Sequence, residues 1–313
     1  MKIDIAGSGA MGCRFGWRLH QSGHDVRLID HWPDHVQAIR ARGLEVISES
    51  GSSIVRIPAS FPDDSKEPAD LLIVFTKAMQ TESMVQSCLH LIGEHTWVLT
   101  LQNGLGNIET IGRYVPKRRI LAGVTTWTAE LLAPGKIQAL GSGDTEITRV
   151  DGENTAEVEE IARAMAEAGL RAVVSPNALI SIWNKVAFNC VLNPLCTLMN
   201  STVGAVGSYS GTMDLARRIV DEIVLVAKAE NIELRREPIL AKIGQQFDSR
   251  TAAHHLASMV QDMRSGRKTE IGHLNGAIVA KGRQHGIPVP CNELIDHLIR
   301  MMEQTRSYQS RVS

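Results

Sequence analysis

Three polar side chains interrupt an otherwise apolar stretch of this sequence, WNKVAFNCVLNPL at 183–195. Lys185, Asn189 and Asn193 recur at every fourth residue, so on a helix they form one slowly turning stripe. The residues between them are apolar, which indicates a largely buried helix and a partly desolvated lysine. Desolvation favours the neutral form of a lysine and lowers its pKa toward neutral pH, which suits Lys185 to passing a proton to a carbonyl oxygen. The two amides could hold the molecule that carries that oxygen.

A simpler alternative is that Lys185 extends to solvent while Asn189 and Asn193 bind neighbouring backbone.

A proline follows the last residue of the stripe. Pro194 has no N–H to donate to the carbonyl of Cys190. Proline also biases the preceding residue away from helical dihedrals. We therefore expect a bend of the helix near Asn193.

A glycine-rich loop near the start of the chain indicates what such a proton donor would serve. IAGSGAMG has the pattern G-x-G-x-x-G between a predicted strand and a predicted helix, as in loops that bind the pyrophosphate of a dinucleotide. The free N–H groups at the start of the helix attract phosphate. The alternative is an ordinary tight turn. The predicted cofactor-binding residues of this loop are Gly7, Ser8, Gly9, Ala10, Met11 and Gly12.

The second predicted strand, HDVRLID, ends at Asp30, about 20 residues beyond the loop. A carboxylate there accepts hydrogen bonds from the ribose hydroxyls of NAD and repels the 2′-phosphate of NADP, so NAD is favoured over NADP. Arg27, His31 and Arg40 are near enough in sequence to compensate for that repulsion. Asp30 could also simply cap the following turn. With a dinucleotide bound, the implied chemistry of Lys185 is protonation of a ketone oxygen during hydride transfer.

The elements that must position these residues fall into two regions. In the first, β-type runs alternate with helical patterns, which predicts a doubly wound parallel sheet of the Rossmann type over residues 1–174. We expect KIQALG, TEITRV and LRAVVS to complete this sheet. From about residue 177 the apolar periodicity is helical, which predicts an all-α substrate or dimerisation domain over 175–313.

Composition excludes several functional classes. The 33 basic and 34 acidic residues are spread along the chain, a balance that disfavours binding to nucleic acid or an anionic membrane. No apolar run is long enough to span a bilayer, and MKIDIAGSG begins a strand without a signal segment. The five cysteines show no metal or redox spacing, so we expect reduced thiols, no metal site and a cytoplasmic location.

Several separate motifs, in order along nearly the whole chain, resemble those of the ketopantoate reductases and the related D-2-hydroxyacid dehydrogenases. They are GSGAMG, LLIVFTKAMQT, LQNGLGN, GVTTWTA, WNKVAFNCVLNPL, SMVQDMRSGRKTEIGHLNG and HGIPVP. The resemblance implies reduction of 2-dehydropantoate to (R)-pantoate, a step of pantothenate biosynthesis, by a nicotinamide cofactor. The predicted helical domain is large enough to form the interface of a homodimer. The alternatives are an NAD-dependent dehydrogenase of another branched or aromatic 2-keto acid and, in a different class, a dinucleotide-sensing protein without catalysis.

The resemblance also assigns roles to individual residues. It implies that Lys185 is the general acid, and that Glu270 makes a polar contact close to the nicotinamide ribose and the substrate, as both a catalytic and a cofactor-binding residue. Substrate binding is implied for Asn189, Asn193, Ser258 and Asn103. Cofactor contacts are implied for Lys77, Asn103 and Ala129.

Two positions depart from the family pattern. Members that use NADP commonly have a basic residue just after the second strand, where this chain has Asp30 and His31. Some members have another substrate-binding asparagine about ten residues after Asn193, where this chain has Val203. Both departures point away from the best-known member of the family and toward a different 2-keto acid.

Overall fold

The computed structural model describes residues 1–248 and 254–309. The chain divides into two compact units, Met1–Ser181 and Ile182–Ser313. The division falls inside one long helix, seven residues after the boundary expected from the sequence at 174/175. The domain assignment 1–174 and 175–313 stays a prediction.

The first unit contains all the strands of the described chain. In chain order they are β1 (Lys2–Ala6), β2 (Asp25–Ile29), β3 (Leu44–Ser48), β4 (Gly51–Val55), β5 (Ala59–Ser60), β6 (Leu71–Val74), β7 (Trp97–Thr100), β8 (Ile120–Thr125), β9 (Glu130–Ala133), β10 (Lys136–Gln138), β11 (Thr145–Arg149) and β12 (Ala172–Val174). Its helices are α1 (Ala10–Gln21), α2 (Pro33–Arg42), α3 (Thr81–Ser87), α4 (Asn107–Ile111) and α5 (Ala156–Met165), with a π-type turn at Ala166–Leu170.

Eight strands form the main sheet in the order β12-β11-β8-β7-β6-β1-β2-β5. The central strands are buried on both faces, and alternate residues of β6 belong to two different apolar cores: Leu71 and Ile73 to one, Leu72 and Val74 to the other. Continuous apolar runs are typical of parallel strands covered on both sides. The predicted Rossmann-type architecture is therefore confirmed.

Two details of the predicted sheet are wrong. The segment KIQALG supplies β10, which pairs with β3 and β9 in a separate sheet of order β4-β3-β10-β9. A short reversal at Gly135, where φ is +74°, connects β9 to β10 as a hairpin and keeps β10 beside β9. The main sheet is also mixed, because β11 returns antiparallel to β8.

The second unit is helical throughout its described part. Its helices are α6 (Ala178–Leu198), which begins in the first unit, α7 (Val203–Gly207), α8 (Thr212–Ala229), α9 (Arg236–Asp248), α10 (Ser258–Arg264), α11 (Asn275–His285) and α12 (Pro290–Gln309). On α8 the buried side chains Ala216, Ile219, Val220, Ile223 and Val226 recur at three and four residues, the spacing of one helical face. None of the described helices has the length and apolarity that crossing a membrane requires.

Candidate functional site

The candidate residues of the first unit lie at one edge of the main sheet. The strands β2, β1, β6, β7 and β8 are consecutive neighbours and all run parallel. Each carries a predicted residue just past its carboxyl end, and in sheet order these are Asp30, the glycine loop, Lys77, Asn103 and Ala129. The structure thus brings all the predicted residues of this unit to the edge where open α/β sheets bind ligands.

The three glycines of the loop meet three different steric demands. Gly7 has φ +96°, and a Cβ there would meet the backbone N of Thr76 at 2.5 Å. At Gly12 a Cβ would meet the carbonyl oxygen of Gly7 at 2.0 Å, so helix α1 packs closely against the loop. At Gly9, by contrast, a Cβ would meet nothing within 4 Å. The open side of Gly9, beside the start of α1, is a fitting place for a pyrophosphate to approach the backbone.

Asp30 is tied to the glycine loop. One of its carboxylate oxygens accepts hydrogen bonds from the backbone N and the Oγ of Ser8, at 2.7 and 3.2 Å, and the other accepts from the backbone N of Trp32 at 3.0 Å. Its carboxylate is therefore fixed beside the loop, and the N–H of Trp32 shows that it also caps the following turn. This geometry is compatible with both interpretations of Asp30 from the sequence, binding of the ribose hydroxyls and capping of the following turn.

The basic residues near Asp30 are engaged elsewhere. Arg27 pairs with Asp4 at 2.6 Å, and Arg40 pairs with Asp64 and donates to the carbonyl of Ala59 at 2.8 Å. The ring Nε2 of His31 lies 3.1 Å from the Oγ of Ser87. None of the three side chains forms an ion pair with Asp30 in the described structure.

Sequence reasoning missed two side chains that shape this edge. Gln102 donates from its amide to the carbonyl of Thr76 at 2.7 Å and to the Oγ of Thr81 at 2.8 Å, so it ties the loop after β7 to the loop after β6. The amide of Asn107 in turn donates to the carbonyl of Asn103 at 3.1 Å. Glutamine beside an Asn-Gly pair gave no signal of this bridging role.

Arg14 is the second missed residue. It is buried, its guanidinium lies 4.2 Å from the ring centre of Trp127, and it donates to the carbonyls of Thr128, Leu140 and Gly141, the last two at 2.8 Å. It thereby holds the loop that carries Ala129. The only signal in the sequence is a basic residue within the apolar face of AMGCRFGWRLHQ.

In the second unit, the polar stripe lies on α6 as predicted. Lys185, Asn189 and Asn193 are each half-buried, while the residues around them are buried, namely Val186, Ala187, Cys190, Val191 and Leu192. The helix continues through Pro194 to Leu198. Asn193 therefore stays within the helix, and the expected bend near it stays a prediction.

The electrostatics around Lys185 suit proton transfer. Burial lowers the pKa of Lys185 to about 8, with Glu270 acting to raise it and Lys242 acting to lower it further. Glu270 is 8% exposed, immediately before a short 3-10 turn at Ile271–His273. The Nζ of Lys242, on α9, lies 5.7 Å from the ring centre of Phe188. A lysine with a pKa about 8 can exchange a proton near neutral pH.

The remaining predicted residue, Ser258, is exposed at the first position of α10. Its hydroxyl can donate to a carboxylate, but its role stays a prediction. Val203 is buried at the start of α7. No group of three His, Cys, Asp or Glu side chains able to hold a metal ion occurs within the described ranges.

Comparison with known proteins agrees with both halves of this picture. The chain is 38% identical to a 2-dehydropantoate 2-reductase of Streptococcus pyogenes, over 99% of this chain and 100% of that protein. A D-mandelate dehydrogenase, solved with NADH and anilino(oxo)acetate, is also 38% identical, with a TM-score of 0.94 over 97% of this chain and 99% of that one. A PanE/ApbA family ketopantoate reductase from Ralstonia eutropha has 32% identity and a TM-score of 0.90, over 98% of this chain and 100% of that one.

Family models give the same assignment for each part of the chain. Residues 3–152 match the model of ketopantoate reductase PanE/ApbA, and residues 177–303 match the model of its C-terminal region. The first match contains the glycine loop and the strand ends beside it, and the second contains the stripe on α6. This chain belongs to the ketopantoate reductase PanE/ApbA family of nicotinamide-dependent oxidoreductases.

Proposed function

We propose that this protein reduces a 2-keto acid to the D-2-hydroxy acid with a nicotinamide dinucleotide, and that its substrate is 2-dehydropantoate, which becomes (R)-pantoate. The observation that carries this proposal is Lys185, a half-buried lysine whose pKa is lowered to about 8, in one stripe with Asn189 and Asn193. Such a stripe offers one proton donor and two amides to a small polar ligand. A relative that is 38% identical over 99% of this chain bears the name of this reductase.

The mechanism assigns one task to each side chain. When bound, the reduced nicotinamide supplies a hydride to the carbonyl carbon of the keto acid. Lys185 donates a hydrogen bond to the carbonyl oxygen and gives it a proton as negative charge develops there. The lysine is then neutral and regains a proton from solvent. Glu270 favours the charged form of Lys185 before the reaction, since its charge raises the pKa of that lysine.

Substrate orientation falls to neutral polar groups. Asn189 and Asn193 bind the hydroxy-acid skeleton, and the hydroxyl of Ser258 binds its carboxylate. Asn103 is a further proposed substrate contact. Binding the carboxylate with a neutral hydroxyl donor leaves Lys185 for the carbonyl oxygen.

The proposed cofactor is NADH rather than NADPH. The carboxylate of Asp30 is fixed at the end of β2, and Arg27 and Arg40 pair with other acids, so neither neutralises it. A 2′-phosphate would meet an uncompensated negative charge there. Lys77, Asn103 and Ala129, at the ends of the neighbouring strands, are the proposed further contacts of the dinucleotide.

A second substrate class is favoured by two observations. The buried Val203 offers no polar group where some family members have an asparagine, and a D-mandelate dehydrogenase solved with NADH is as similar to this chain as the named reductases. An aromatic or branched 2-keto acid is therefore the alternative substrate.

The deciding experiment measures kcat/KM for 2-dehydropantoate and for phenylglyoxylate, each with NADH and with NADPH. We expect the highest value for 2-dehydropantoate with NADH. A higher value for phenylglyoxylate would establish the alternative substrate class. Tight NADH binding without oxidation by any 2-keto acid would instead support a dinucleotide sensor.

We also propose a cytoplasmic homodimer. The five unpaired thiols suit a reducing compartment. Leu225 on α8 and Leu294 and Met301 on α12 are large, exposed apolar side chains of the kind that interfaces cover. Light scattering on the purified protein should give about twice the mass of one chain, and a monomer would refute the proposal.

A further inference from the structure

A buried chain of hydrogen bonds reaches the middle of the polar stripe on α6. Pro194 has no N–H, so the carbonyl of Cys190 lacks its usual partner four residues on. The amide of Asn275, on α11, donates to this carbonyl at 3.1 Å. Asn275 is fully buried, so the bond replaces a helical one in a place without access to solvent.

The chain of hydrogen bonds continues from Asn275 through Asn292 to Glu222. The second N–H of the Asn275 amide donates to the Oδ1 of Asn292 at 3.0 Å. The amide of Asn292, also fully buried, donates to the carboxylate of Glu222 at 2.7 Å. That carboxylate also accepts from the backbone N–H groups of Cys291 and Asn292, at 2.8 and 3.0 Å, in the first turn of α12.

The carboxylate of Glu222 and the carbonyl of Ile219, which accepts from the Asn292 amide at 3.2 Å, together set the direction of the bonds between the side chains. A carboxylate only accepts, so Asn292 must turn its NH₂ group toward Glu222 and its oxygen toward Asn275. Asn275 must then offer its own NH₂ group to that oxygen, which leaves one N–H for the carbonyl of Cys190. No other orientation of the two amides satisfies these partners.

We propose that Asn275 is a positioning residue for the proposed reduction, and that it fixes the part of α6 that carries Asn189 and Asn193. Cys190 lies between these two asparagines in sequence, so a free carbonyl there would loosen the helix where they must hold the keto acid. Glu222 and Asn292 hold Asn275 in its donating orientation. This inference rests on the proposed function of the stripe.

The test is a double-variant cycle. Asn275→Leu removes the donor, and we expect KM for the keto acid to rise about tenfold, the value of one hydrogen bond. The Kd of NADH should stay within about twofold of the unaltered value, since the glycine loop is untouched. Pro194→Ala returns an N–H to the carbonyl of Cys190, so Asn275→Leu in that background should cost less than threefold in KM.

Equal KM effects of Asn275→Leu in both backgrounds would overturn the proposal, as would no effect in either. Asn275→Gln, which keeps the amide but displaces it by one methylene, guards against a variant that fails to fold. Asn275→Gln should also raise KM, and an unchanged KM would overturn the proposal.

Amide hydrogen exchange over residues 189–197 supplies a readout that needs no turnover. We expect faster exchange there in Asn275→Leu and slower exchange again in the double variant. If no 2-keto acid is reduced at all, the proposed function is wrong. The exchange pattern would still show whether the hydrogen bond from Asn275 fixes this part of α6. Unchanged exchange in Asn275→Leu would refute that role whatever the substrate.

Discussion

Reduction of the keto acid should depend on pH through Lys185. This residue is the proposed donor, and burial lowers its pKa from 10.5 to about 8. Only its charged form can give a proton, so kcat for reduction should be level below pH 8 and fall about tenfold per pH unit above it. In the oxidative direction the neutral form accepts the proton, so kcat should rise toward pH 8 and then level off.

The two charges near Lys185 predict shifts of opposite sign. Glu270 raises the pKa of Lys185, so Glu270→Gln should move the break in the pH profile to lower pH. Lys242 lowers that pKa, so Lys242→Met should move the break to higher pH. An unperturbed lysine would instead keep the break above about pH 10.

The assay is the pH dependence of kcat in both directions, followed by the absorbance of the reduced nicotinamide. Lys185→Arg is the matched control, because a guanidinium stays charged throughout and should abolish the break near pH 8 in any residual activity. A break near pH 8 that survives in Lys185→Arg would assign the titration to another group. Shifts of the same sign in the Glu270 and Lys242 variants would refute the electrostatic argument.

Four further substitutions test the first unit. Gly9→Ala should weaken NADH binding at least tenfold while leaving Tm nearly unchanged, since its Cβ would meet no protein atom within 4 Å. Gly12→Ala should lower Tm sharply, because its Cβ would meet the carbonyl oxygen of Gly7 at 2.0 Å. Equal effects of the two variants on Tm would contradict these different roles of the two glycines. Arg14→Met should destabilise the fold by about 1–3 kcal/mol in a denaturant titration, because the hydrogen bonds of the buried guanidinium to three loop carbonyls and its contact with the ring of Trp127 are lost, and a loss below about 0.5 kcal/mol would contradict that role. Asp30→Ala should narrow the preference for NADH over NADPH in kcat/KM, and a clear NADPH preference in the unaltered protein would overturn the interpretation of Asp30.

The cofactor edge could be predicted from sequence because its rules are local. A strand, a glycine loop and a helix follow one another within the first 21 residues, and Asp30 follows the next strand. Parallel neighbours then place Lys77 and Asn103 at the same edge. The stripe on α6 could also be predicted from the sequence, because residues spaced by four lie on one face of a helix.

Other features depend on contacts between distant segments. The strand β4 is mostly exposed and polar, so its sequence has no apolar periodicity. The sequence of β10 alone does not distinguish a hairpin with β9 from a strand of the main sheet. Asn275 meets Cys190 across 85 residues of sequence, and Arg14 meets Leu140 across 126. Pro194 indicates from the sequence that the carbonyl of Cys190 lacks its helical hydrogen-bond donor. Only the packing of α11 shows which side chain supplies the donor.

The central claim, that Lys185 protonates the keto acid, is tested most directly by the Lys185→Ala variant. Its kcat for NADH-dependent reduction of 2-dehydropantoate should fall by about 10²–10⁴, the usual contribution of a general acid. Its Kd for NADH should be nearly unchanged, since the glycine loop and Asp30 stay intact. A variant that binds NADH normally and reduces the keto acid at the unaltered rate would contradict the account.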